Sequence, residues 1–105
     1  MAEPLAVPLR GLLTTIELVL GHLEATAGPQ VVLDHDYFWS VPPEDRYGVY
    51  EEPSEFTVGQ LSECLSNIAA VAERGDQTAV YALVWVGEVL QALGEQLSGR
   101  PIPPT

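Results

Sequence analysis

The fold turns on the stretch FTVGQLSECLSNIAAVAERG, residues 56–75. Thr57 stands where a hydroxyl can accept hydrogen bonds from the free N–H groups of a first helical turn, and Gln60, three residues on, can reach back to the Thr57 amide. Together they form a capping box, with Phe56 before the cap and Leu61 after it placed as a hydrophobic staple. Leu61, Cys64, Leu65, Ile68, Val71 and Ala72 then follow at the spacing of one helical face, and Gly75 is a stop signal. These signals predict a helix over 58–74.

Downstream, Asp76 can cap a third helix over 77–98, which Gly99 and the prolines at 101, 103 and 104 would end. The segment VYALVWVG, 80–87, is rich in β-branched and aromatic residues and also reads as a buried strand. Length favours a helix, because no proline or turn cluster interrupts the residues after Asp76, whereas strands usually stop at about 4–8 residues. The short link between the two helices predicts an antiparallel helical hairpin.

Upstream, Leu9, Leu12, Leu13, Ile16, Val19, Leu20 and Leu23 keep helical spacing after Pro8, and Gly28-Pro29 is a strong stop. A first helix is expected over 8–27. Between 28 and 56 lies a long connection in which VVL, 31–33, could be extended but has no clear strand to pair with. The expected fold is therefore all-α: a three-helix bundle (8–27, 58–74, 77–98) with a long ordered crossover, 28–56, rich in aromatics and prolines. Its 105 residues suit one helical domain, 1–105, with a flexible N-terminus at 1–7 and a proline-rich tail at 100–105.

Fifteen acidic residues against four arginines, with no lysine, give a formal net charge of −11. A surface of that sign repels phosphate backbones and anionic lipid, so neither direct nucleic-acid binding nor membrane binding is expected. A basic protein partner suits it. With a single cysteine, Cys64, the chain has no internal disulfide. Glu3 stands where an export signal would carry positive charge, and Glu17, His22, Glu88 and Gln91 interrupt the apolar runs. The expected location is the cytoplasm.

Six of the eight aromatic residues fall between Tyr37 and Phe56. A connection of that length and content is either packed by its own side chains or used for contact. Tyr37, Trp39, Tyr47 and Tyr50 are the candidate partner-binding aromatics, and Arg46, the one base in an acidic segment, is a fifth candidate whose expected partner is one of the neighbouring carboxylates. The competing reading has the aromatics filling the open side of the bundle.

Chemistry is harder to find. Asp34, His35 and Asp36 offer oxygen and nitrogen ligands and are the weak candidates for a metal site, with His22 or Glu24 as further donors, but adjacent residues rarely converge on one ion. Cys64 lies on an apolar stripe, where a thiol is usually inert. No serine sits in a nucleophile elbow, and Gly59 has no phosphate-loop lysine. The residues thus predict no cofactor, no catalytic set and no enzyme. They predict a non-catalytic accessory or regulatory protein working through protein–protein contact. Two alternatives are a small-ligand or metal-binding enzyme with its pocket near the crossover, and an immunity or antitoxin-like protein whose acids cover a basic groove.

The third predicted helix is apolar nearly all round, more than two neighbouring helices can cover. A homodimer through Val80, Val84, Gly87 and Gly94 is expected, because the glycines, seven residues apart, would let a second backbone approach.

Overall fold

The structure, a computed structural model, describes residues 4–41, 43–48, 52 and 56–99. The chain divides into two compact units, Met1–Val32 and Leu33–Thr105.

The first unit is built on α1, Leu9–Ala27, one residue shorter than expected. Pro8 precedes it in an extended conformation, and Gly28 closes it with φ 92°, a backbone region that favours glycine, while its N–H donates to the Glu24 carbonyl at 3.1 Å. The hydroxyls of Thr15 and Thr26 donate to the carbonyls of Gly11 and His22, four residues back, so both are used locally.

In the second unit the order is β1 (Tyr37–Ser40), α2 (Pro43–Arg46), β2 (Thr57–Gln60), α3 (Leu61–Arg74) and α4 (Ala82–Leu97). The strands pair antiparallel, with Tyr37 opposite Gln60, Phe38 opposite Gly59, Trp39 opposite Val58 and Ser40 opposite Thr57. The chain is mostly helical but not all-α. This corrects the all-α three-helix fold expected from 8–27, 58–74 and 77–98, because the crossover 28–56 supplies one strand of a sheet and the start of the second expected helix supplies the other.

The physical reason lies at Thr57 and Asp36. Thr57 is a strand residue whose hydroxyl donates to the Ser40 carbonyl at 3.3 Å, and Gln60, extended at φ −124° and ψ 128°, precedes α3 without a side-chain cap. The cap comes from elsewhere in the sequence. Asp36 accepts the Ser62 N–H at 2.6 Å through one carboxylate oxygen and the Ser62 hydroxyl at 2.7 Å through the other, while its carbonyl accepts the Leu61 N–H at 2.7 Å. A carboxylate at a helix N-terminus satisfies free donors and meets the positive end of the helix dipole. With that need met by Asp36, Thr57 and Gln60 are released to the ladder.

The start of α4 shifts for a related reason. Asp76 accepts both the backbone N–H of Thr78, at 2.9 Å, and its hydroxyl, at 2.7 Å, closing a local turn instead of capping a helix. Regular helix begins at Ala82, five residues later than expected, and Val80 and Tyr81 belong to the turn. From 82 to 87 the backbone is helical, so the strand reading of 80–87 fails there. Gly75 at φ 64° and Gly99 at φ 72° close α3 and α4.

α3 and α4 pack together, and β2 runs directly into α3. Among the described residues the buried apolar side chains are Leu61, Cys64 and Ala92, which places the centre of this unit where the start of α3 meets the later turns of α4. No described helix is long and apolar enough to cross a membrane. Most of the expected flexible ends, 1–3 and 100–105, lies outside the described residues.

Candidate functional site

Alternation along two paired strands puts Tyr37, Trp39, Val58 and Phe56 on one face of the sheet. That face is open: Trp39 is 69% exposed, Tyr37 62%, Val58 60% and Phe56 57%. The Trp39 and Phe56 rings meet edge to face with centroids 6.1 Å apart, so each limits the other's freedom.

The opposite face is closed around one residue pair. Phe38 is half-buried and lies over Gly59, where an added Cβ would overlap its ring. A glycine inside a strand leaves backbone uncovered, and an aromatic on the facing strand covers it.

Of the other candidate contact residues, Tyr47 is 80% exposed, and the Arg46 guanidinium carbon sits 5.8 Å from its ring centroid in a cation–π arrangement. Tyr50 lies outside the described residues. Phe56 was read from sequence only as a helix staple and Val58 not at all, although the aromatic run 37–39 and the β-branched pair Thr57-Val58 carry a strand signal.

Asp34, His35 and Asp36 diverge. The Asp34 N–H donates to Gln96 Oε1 at 2.8 Å, tying the chain before β1 to the end of α4. Asp36 spends both carboxylate oxygens on Ser62. The Ser62 N–H, then the Ser62 hydroxyl, hold its carboxyl below the usual carboxylate value against an opposing effect of burial, and the Leu61 N–H adds a lesser lowering. His35 is half-buried, with a buried Nδ1 that has no hydrogen-bond partner among the described residues. No three His, Cys, Asp or Glu side chains among the described residues come together as a metal-binding group.

No protein family, curated protein or solved structure matches the chain. The site must therefore be read from its own chemistry.

A half-open cavity of about 230 Å³ lies against α4, with Leu61 and Ala92 among its apolar lining and His35, Arg46, Glu88 and Glu95 among its polar lining. Glu88 and Glu95 are two helical turns apart on α4, and Glu95 accepts a 3.1 Å hydrogen bond from Gln91 Nε2. Of Asp34, His35, Asp36 and Tyr37, the residues expected at the mouth of a pocket near the crossover, His35 alone lines it. Cys64 is buried, and its thiol is pushed up by that burial first, then by the negative charges of Glu88 and Glu63. That environment suppresses the thiolate a nucleophile needs.

Of the dimer candidates, Val84, Gly87 and Gly94 lie on the exposed side of α4 and Val80 in the turn before it. Val80 is 70% and Val84 42% exposed, and a Cβ added at Gly87 or Gly94 would meet nothing within 4 Å.

Proposed function

We propose that this chain is a non-catalytic interaction protein that recognises a basic protein partner through the open aromatic face of its two-stranded sheet. The observation that carries the reading is Trp39, 69% exposed and steadied by Phe56 at 6.1 Å. Tryptophan is costly to leave in water and is a frequent anchor of protein interfaces. A ring whose orientation is already limited loses less freedom on binding, which favours affinity.

The charge supports the nature of the partner. At a net −11 the chain attracts a positive surface from a distance and repels nucleic acid and anionic membranes. Acids around an aromatic centre would set the rate of encounter, and the aromatic centre the lifetime. An accessory or regulatory subunit in the cytoplasm has this chemistry.

The test is binding of a purified partner, identified by crosslinking at low salt, to the wild-type chain and to Trp39→Ala. The reading expects a loss of about 30-fold or more for Trp39→Ala, with association slowing as salt rises. Equal affinity of the two proteins would overturn it.

A second reading has one observation in its favour, the cavity lined by His35, Arg46, Glu88 and Glu95. Its apolar lining and mixed charges suit a small molecule carrying an ammonium group beside a carboxylate. Thermal-shift screening of amino acids and small amines against wild type and Glu88→Gln decides it: stabilisation lost in Glu88→Gln supports a ligand site, and no stabilisation of wild type removes it.

A further inference from the structure

Trp39 belongs to two surfaces. It stands on the open face of the sheet and also lines the cavity against α4, so a partner seated on the indole also reaches the cavity. Glu88, Gln91 and Glu95 line that cavity from α4, and their spacing of three and four residues puts them on one face of the helix.

The polar atoms on this face are acceptors in want of donors. Glu88 is half-buried and receives no hydrogen bond or ion pair from any described residue. Its charge is felt at the centre of the unit, where it helps to raise the Cys64 thiol behind the larger effect of burial. A carboxylate held partly out of water without a partner costs stability, and a cation brought to it relieves that cost. Gln91 Nε2 already donates to Glu95 Oε1 at 3.1 Å, which leaves the Gln91 carbonyl oxygen and the second Glu95 oxygen without donors among the described residues. Phe38, Leu61 and Ala92 give the same cavity an apolar wall.

We infer that this cavity receives a lysine side chain of the basic partner, its aliphatic stem along the apolar wall and its ammonium against Glu88. The inference rests on the proposed sheet-face reading and adds to it the residue type that the partner must present. An ammonium turns three donors toward separate acceptors, which Glu88, Gln91 and Glu95 offer, whereas a guanidinium holds its donors in one plane. The Trp39 ring at the cavity adds a favourable surface for a cation. Arg46 is the opposing group, since it lines the cavity too. It repels a lone cation, but it would attract the carboxylate of a free amino acid, so the partner's lysine and a free zwitterion respond to Arg46 in opposite senses.

A nuclear magnetic resonance titration of the isotope-labelled full chain with the blocked peptide acetyl-Ala-Lys-Ala-amide, and separately with free lysine, tests the inference. The amide signals of Glu88 and Ala92 and the Trp39 indole signal are expected to shift together and to saturate with the blocked peptide, at a Kd of about 1 mM. Glu88→Gln should weaken that binding about tenfold or more, Arg46→Gln should strengthen it, and the same peptide with norleucine in place of lysine should not bind. The norleucine peptide leaves the protein untouched, so a fold defect in a variant cannot imitate its result. The inference is overturned by the absence of a saturable shift in wild type, by equal affinity of Glu88→Gln, or by free lysine binding more tightly than the blocked peptide and losing that advantage in Arg46→Gln. The sheet-face reading fails separately, through an unchanged affinity of Trp39→Ala for the crosslinked partner.

Discussion

Gly59 and Phe38 face one another across the sheet, and a methyl group on Gly59 would occupy the space of the ring. Gly59→Ala should therefore destabilise the second unit by about 1–3 kcal/mol, the range for forcing an extra carbon into a filled site. Phe38→Ala in the same chain should recover part of that loss, which a double-mutant cycle by denaturant unfolding would show. Simple additivity would mean that the two residues do not share the space. Asp36 offers a second residue-level test. Its carboxyl is held below 3.8 by Ser62, so its contribution to stability is present above the unfolded value and is lost as pH falls through the lower folded value. Asp36→Ala should lower the melting temperature at neutral pH, and the gap from wild type should close as pH drops below about 3.8. A gap that does not depend on pH would show that the charge on Asp36 does not matter to α3.

α3 is the element in which local and distant signals compete. Its stripe from Leu61 and its stop at Gly75 were legible, since both depend on neighbours three or four residues away. Its start was not. Phe56, Thr57, Gln60 and Leu61 satisfy every local rule for a capped helix, and the competing partners, Tyr37–Ser40 as a strand and Asp36 as a cap, lie 17 to 26 residues earlier in the chain. The turn after Asp76 escaped for a smaller reason, because an aspartate followed two residues later by threonine closes a turn as readily as it caps a helix. Among the site residues, Trp39 and Tyr37 were legible as unusual aromatics, while the cavity residues Glu88 and Glu95 were not, having no pattern apart from the folded chain. At this scale the key side chain is Leu61, 3% exposed where β2 becomes α3. Leu61→Ala should cost about 2–5 kcal/mol and loosen strand and helix together, seen as faster amide exchange in both. Exchange that rises in α3 alone would argue that the junction is not cooperative.

At the scale of the whole molecule, a net charge of −11 accompanies an exposed aromatic sheet face. The sheet face, with Trp39 and Phe56, is the surface proposed for a basic partner. Under that proposal, association with the partner should slow as salt rises. That proposal depends on Trp39 being open in the isolated chain. Acrylamide quenching of tryptophan fluorescence in the Trp85→Phe protein reports on Trp39 alone, with a neutral quencher that the acidic surface does not repel. The account predicts quenching close to that of a free tryptophan amide in the chain by itself. An indole that acrylamide cannot reach would contradict it.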